Sequence, residues 1–472
     1  CVGMSFSGGA MVIADRALLA AVLLSVAVAS LSTYLHYPAK DPPLGIYGLQ
    51  YSDIDSIFRS LVFEAVEFAG HRALNVTVTV EVDGVWVALL PSLHRWYSAE
   101  VVESFASTRG CYAPYLHYGF EYPPLVGVLW YVSTCLAYTS VLPEAYTADA
   151  VVDSLDRMVV IHYAVHAAVL SICLVVSALV AVKLADELGV PWRRALLFLL
   201  LPSTTIYAVY NWDLLAVTLL LLSLYSYVKG RYLASGVLLG LSASSKLLPA
   251  VVGFALLMRL VGEAVRGEVK LRAVAEYLAG CVAGGAPILA WISLAPQGFS
   301  WAVNYVSGWF CENCLYNMFL LNEYSHLHKW LFIFLSTPIV LLVGYLSFKE
   351  KRIGVEVIAS AVLLSVTVLN YIFTPQMVLL VTPVLLLAVP KTLYPLVVVA
   401  DASNAMIILT LFNRDWVESL GVQEPLSPFH AASIVQMFAN IRNLLLLISM
   451  ALLLYRCFSN TSLKLRAPAS RR

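Results

Sequence analysis

Apolar residues fall in long, nearly unbroken runs along this chain, and short polar segments separate them. The runs cover approximately 17–35, 122–141, 158–182, 195–210, 213–228, 232–262, 275–295, 330–348, 353–373, 377–390, 392–412 and 440–456. A helix needs roughly 20 apolar residues to cross the hydrocarbon core. The pattern therefore predicts an all-α polytopic membrane protein with about 11–13 transmembrane helices. Lys246 and Pro249 interrupt the stretch 232–260, which reads as one helix or as two short ones.

The largest polar segment, 36–120, departs from helical spacing near its middle. Val76, Val78, Val80 and Val82 alternate with Asn75, Thr77, Thr79 and Glu81, and Asp83-Gly84 then precedes Val85-Trp86-Val87. Alternation closed by Asp-Gly predicts a β-hairpin, so this loop is expected to hold short helices and one hairpin. Asn75-Val76-Thr77 is also a glycosylation sequon, a weak argument for an external loop.

Composition agrees with the pattern: 60% of residues are hydrophobic and 12% charged, mean hydropathy is +0.82, and soluble domains carry about 25% charged residues. The 29 Lys and Arg balance the 29 Asp and Glu, which leaves no nucleic-acid footprint. Placement of the charges is more informative. Segments 266–272, 349–352 and 456–472 are basic and belong inside by the bias of cytoplasmic loops. Alternation from these anchors puts 297–328, the turn Thr374-Pro375-Gln376 and 413–436 outside, on one shared surface. In the first half, Arg193 and Arg194 together with Lys229 and Arg231 cannot all lie inside if every run crosses once, so a run there is re-entrant, split or mis-bounded.

The expected order is a cytoplasmic N-terminus (1–16), a first transmembrane helix (17–35), an extracytoplasmic loop (36–120), a core transmembrane module (121–296), a second extracytoplasmic loop (297–328), C-terminal transmembrane helices (329–456) and a cytoplasmic tail (457–472). Arg16 precedes the first run and no small-residue cleavage signature follows it, which reads as a retained helix.

Charged groups at membrane depth are costly and mark sites or pathways. Tyr51-Ser52-Asp53-Ile54-Asp55 sets two carboxylates ahead of a helix-like stretch. Such a pair suits general-base chemistry or cation binding, while the structural reading is that one acid caps the helix. Glu121 and Tyr122 precede Pro123-Pro124 at the start of the next run, and Asn211-Trp212-Asp213 interrupts two others. Lys246 lies within apolar sequence, where its ammonium would hold a phosphate as a point charge or snorkel to the head groups. Gln376 sits in a polar turn whose proline is explained by the turn alone. His162 and His166 share a helix face but lack a third metal ligand. Cys311-Glu312-Asn313-Cys314 is a CxxC with no second copy; disulfide, redox pair and half a zinc site are the readings, with a structural disulfide favoured. P-loop, GxGxxG, HExxH and GxSxG motifs are absent, which removes the usual support for nucleotide-driven transport and soluble-type hydrolysis.

The order of acid pair, Phe120-Glu121-Tyr122-Pro123-Pro124, the glycine-rich segment ending in Lys246 and Pro249, and the Pro375-Gln376 turn resembles the C superfamily of integral-membrane glycosyltransferases (GT-C). The likeness is nearest to polyprenol-phosphate-mannose-dependent mannosyltransferases, whose first external loop carries Tyr-x-Asp-Ile-Asp, and it runs from Gln50 to Pro383. It implies a polyprenyl-phosphate-sugar donor, a lipid or glycan acceptor, and an aspartate general base matched by Asp53 or Asp55, with Asp53 first. It further implies that Lys246, with Arg259 or residues of 297–328, neutralises the departing phosphate, and that Glu121, Tyr122, Asp213 and Gln376 line the donor site at the outer face of the plasma membrane. No cofactor is certain, and a divalent metal is left open. The hairpin and Asn211-Trp212-Asp213 depart from that pattern. The rival reading is a transporter or lipid flippase using Lys246, Asp213 and Asp401, and a third is an accessory subunit; the chain shows no internal repeat of the kind transporters carry.

Overall fold

A computed structural model describes residues 7–38, 41, 45–69, 79–82, 85–88, 95–142 and 148–465. Among them six helices are long and apolar enough to cross a membrane: Asp15–Leu35, Pro124–Val141, Asp149–Glu187, Leu327–Lys349, Lys391–Leu411 and Ile434–Phe458. A seventh span results if Leu271–Gly284 and Ala286–Leu294, bent by 45°, are taken together. Gly285 and Pro287 lie at this bend, the usual residues at a kink.

This is fewer than the 11–13 crossings that the apolar runs predict. The difference lies in shorter apolar helices such as Asp213–Val228, Tyr232–Ser245 and Val355–Val368, of 16, 14 and 14 residues. At 1.5 Å per residue these reach roughly 21–24 Å, less than the roughly 30 Å hydrocarbon core. The run 195–210 is no single helix: it breaks into Trp192–Ala195, a 3-10 turn Leu197–Leu200 and Pro202–Tyr207. Pro202 has no N–H to continue the preceding turn and opens the next helix. The long run after Arg231 is two helices, Tyr232–Ser245 and Ala250–Val265, parted at Lys246 and Pro249.

Close packing is made by glycines. Gly236 and Gly240 lie four apart on one helix and Gly280 and Gly284 on its neighbour. A Cβ would come within 2.2 Å of Tyr277 O at Gly236 and 2.0 Å of Val237 O at Gly284. The two backbones therefore touch, as small-xxx-small pairs permit where lipid offers no hydrophobic drive.

The bundle has two chemically different ends. At one, Lys229 bonds Glu187 at 2.5 Å, Arg194 donates to Val389 O, Arg456 donates to Ala388 O at 2.8 Å, and Arg266 donates to Phe348 O at 2.6 Å. Both basic clusters of the first half thus share this end with those of the second. Two features resolve the charge conflict: the run after Arg231 goes out and back as two helices, which returns 266–272 to the end that holds 229–231, and Pro124–Val141 does not lead to that end. Thr134 meets His162 and Ser133 meets His166 in antiparallel order, and Tyr138 approaches Phe58 of the helix Asp53–Ala69. The helix therefore starts at the cleft described below and runs away from the basic end, alongside the first half of Ala148–Glu187.

In the first loop, Thr79–Val82 pairs antiparallel with Val85–Ala88, with Val82 opposite Val85. Asn75, Asp83 and Gly84 lie outside the described residues, as do 1–6 and 466–472 of the expected terminal segments.

Candidate active site

Three segments distant in sequence converge on Asp53. The first turn of Asp53–Ala69 begins with the Asp53 N–H donating to Tyr210 O at 3.1 Å, which seats that helix on the 202–213 segment. Ser52 takes the capping role: its Oγ accepts from the Asp55 N–H at 3.2 Å. Neither acid is consumed as a cap, contrary to the structural reading of the pair.

Asp53 Oδ2 accepts from Tyr122 Oη at 3.3 Å, Asn211 Nδ2 at 3.4 Å and Gln376 Nε2 at 3.5 Å. All three donors are neutral. Its second oxygen, Oδ1, accepts no hydrogen bond among the described residues, so one face of the carboxylate stays open. Gln376 Oε1 is buried without a partner. Burial pushes the Asp53 carboxyl up to about 7, and the nearby carboxylates of Glu312 and Asp213 add to this, against the Asn211 and Tyr122 hydrogen bonds. An acid held near neutrality accepts and returns a proton at physiological pH.

Asp55 is elsewhere. Two positions on a helix point about 200° apart, and Asp55 turns to Arg59 at 2.7 Å, whose other nitrogen reaches Asp156 at 3.0 Å. It bonds none of the Asp53 partners, so the polar cluster contains Asp53 and not Asp55.

Lys246 and Asp213 form one unit. The ammonium lies 2.6 and 2.7 Å from the two carboxylate oxygens, with Asp213 almost fully buried and Lys246 22% exposed. The Asp213 N–H donates to Asn211 Oδ1 at 2.9 Å, which couples this pair to the amide that reaches Asp53. Lys246 is therefore neither a lone phosphate anchor nor a snorkelling side chain. Glu121 is likewise paired, 3.1 Å from the buried Arg95, which also faces Glu64 at 3.5 Å. That pair anchors the segment that carries Tyr122. Arg259 bonds Glu263 at 3.0 Å and Ile353 O, and shares no hydrogen-bond partner with Asp53 or Lys246 among the described residues.

Two residues absent from the sequence-derived site belong to it. Glu312 accepts from Trp309 Nε1 at 2.8 Å, and burial raises its carboxyl to about 7 despite that bond and the nearby Arg442. Arg442 is fully buried and reaches Asn404 Oδ1 at 2.8 Å, Asn313 O at 3.0 Å and Phe373 O at 2.9 Å. It ties the segment carrying Glu312 to the turn carrying Gln376. The signals were present: an acid inside the CxxC, and one arginine within an apolar run.

Cys311 and Cys314 are joined by a disulfide. Cys311, Cys314 and His328 form the group of three metal-type ligands found among the described residues, but its two sulfurs are bonded to each other. His162 and His166 are buried with ring centroids 4.4 Å apart, and His162 stacks on Phe58 at 4.2 Å; they pack a core. Asp401 accepts from the Ser203 N–H at 2.9 Å and holds two helices together. No protein-family model matches this chain, and none of the curated proteins matches it.

Proposed function

We propose that this protein is an integral-membrane glycosyltransferase that moves a hexose, mannose first among candidates, from a polyprenyl-phosphate donor to a lipid or glycan acceptor. The observation that carries the reading is Asp53: neutral donors hold one oxygen, the other is open, and an ion-paired lysine sits one residue pair away through Asn211.

The reaction follows from these groups. The acceptor hydroxyl attacks the anomeric carbon while Asp53 Oδ1 takes its proton, and the bond from that carbon to the phosphate oxygen breaks with its electron pair leaving on the lipid phosphate. A weak nucleophile is assisted by a base placed at its proton, and a single displacement inverts the anomeric centre. Two of the three ammonium protons of Lys246 face Asp213; the third is available to the developing phosphate charge. Tyr122 and Gln376 orient Asp53. Six membrane-length helices suit a lipid-linked donor, and the bias of basic residues toward the cytoplasm favours an extracytoplasmic cleft, at the plasma membrane in this reading.

The test is transfer of radiolabelled hexose from a panel of polyprenyl-phosphate sugars to membrane acceptors, with the full chain expressed in membranes that lack the activity. Transfer that needs this protein is the expected result. Absence of transfer with every donor, alongside protein-dependent movement of labelled lipid across the bilayer, would replace the enzyme with the flippase reading.

A further inference from the structure

We propose that Glu312 is a second substrate-binding carboxylate of the cleft and that the Cys311–Cys314 disulfide is the device that presents it. The inference rests on the glycosyltransferase reading for the identity of the substrate, and on geometry alone for the clasp.

The disulfide closes a ring of four residues around Glu312 and Asn313. Asn313 sits at φ +53°, a left-handed conformation that Asn tolerates better than most side chains. Its carbonyl accepts from Arg442 at 3.0 Å and Asn443 at 2.9 Å. The Glu312 N–H donates to Tyr371 O at 3.0 Å, and Glu312 O accepts from the Phe373 N–H at 2.9 Å. The carbonyl of Cys314 accepts from Gln436 at 3.0 Å, and the Cys311 N–H donates to Glu323 O at 2.7 Å. These bonds tie the clasp to three other segments, at Glu323, at 371–373 and on the helix Ile434–Leu465, and the second of these leads into the turn that carries Gln376 to Asp53.

A four-residue ring this heavily bonded fixes where its one acidic side chain points. That side chain is held at one oxygen, Oε2, by Trp309. A carboxylate so placed, on backbone bonded to the segment that carries Gln376 to Asp53, accepts hydroxyl hydrogens of a bound acceptor sugar. An uncharged lipid tail gives it nothing to accept. The clasp residues position, and Glu312 binds.

Reduction is the direct probe. A dithiol reductant gives two electrons and two protons to the disulfide, which becomes two thiols while the reductant closes to its own disulfide. The other cysteines among the described residues are already free, so the perturbation is confined to the clasp. Purified full-length protein in lipid nanodiscs is examined oxidised, reduced, and as Cys311→Ser. Hydrogen exchange followed by mass spectrometry is expected to speed up in peptides covering Glu312 and Phe373, in the reduced protein and in the variant alike; unchanged exchange there overturns the clasp. In the transfer assay, reduction and Glu312→Gln are each expected to raise the acceptor KM about tenfold, the order lost with one hydrogen bond to a charged group, with donor KM unchanged and Glu312→Asp partly restoring the value. An acceptor KM that stays fixed overturns the role of Glu312. Exchange that responds while the oxidised wild type transfers no sugar from any donor refutes the glycosyltransferase reading and leaves the clasp standing.

Discussion

Replacing Asp53 by Asn is the sharpest perturbation this structure offers. Asn has nearly the same shape, and its amide oxygen can take the place of Oδ2 opposite Tyr122, Asn211 and Gln376, which donate at 3.3–3.5 Å. The amide nitrogen then occupies the position of the open oxygen and cannot accept a proton. A positioned general base is worth about 10²–10⁴ in rate, or roughly 3–5 kcal/mol of barrier, and that is the expected fall in kcat for transfer from a polyprenyl-phosphate hexose. Stability is expected to change little, because an acid held up to about 7 is near half protonated at neutral pH and already partly uncharged. Thermal unfolding of the detergent-solubilised variant checks this, and donor KM reports whether the cleft is intact. A variant with wild-type melting, wild-type donor KM and more than a tenth of wild-type kcat would falsify the assignment of Asp53 as base. Asp55→Asn is the control: it removes one partner of a part-exposed ion pair with Arg59, costs about 1 kcal/mol or less, and leaves the rate within a few-fold of wild type.

Four further outcomes follow from the same geometry. A base must be unprotonated to act, and Asp53 is held up to about 7 by burial with Glu312 and Asp213 facing it; transfer is therefore expected to rise with pH through about 7, with a midpoint that belongs to the Asp53–Glu312 pair. Glu312→Gln removes the repulsion and moves that midpoint to lower pH, as a pH–rate profile would show, and an unmoved midpoint would contradict the coupling. Lys246→Ala leaves the buried Asp213 carboxylate unpaired and is expected to lower both stability and rate, with Asp213→Asn partly restoring melting but not rate. Arg442→Met strands Asn404 Oδ1 and the carbonyls of Asn313 and Phe373, an expected loss of about 2–4 kcal/mol read by denaturant unfolding. Gly284→Val drives a Cβ into Val237 O and is expected to abolish folded protein on size-exclusion chromatography, whereas Gly421, with open space around it, tolerates Asn.

Hydropathy made the helical class legible but not the number of spanning helices, because an apolar run reports burial in lipid or in protein without distinction. Val355–Val368 is buried on every face, surrounded by helices rather than by tails, and it reads the same as a crossing. Direction is equally invisible to composition: nothing in Pro124–Val141 says that it runs antiparallel to Ala148–Glu187, and only contacts such as Thr134 with His162 show it. Asp53, Tyr122 and Gln376 were legible as polar residues at the edges of apolar runs. The separation of Asp53 from Asp55 was also within reach, since Ser52 three residues before Asp55 is an N-terminal capping signal that starts the helix at Asp53 and turns the two acids to different sides.

Arg442 shows why the remainder was not. Its donors go to amide and carbonyl oxygens, and its guanidinium lies over the Phe373 ring with a centroid distance of 3.7 Å, so no carboxylate four residues away announces it. A buried cation held by neutral groups is still drawn electrostatically to an acid nearby, and the acid within reach is Glu312. That attraction opposes the burial that would otherwise keep Glu312 protonated. The same side chain anchors Asn313 O on one side and Phe373 O on the other. One residue of the last membrane-length helix thus acts on Glu312 in two ways, by holding the backbone on either side of it and by its charge. A motif search along the first loop, however thorough, stops at Asp53; the other half of the site is specified by long-range bonds from the last membrane-length helix.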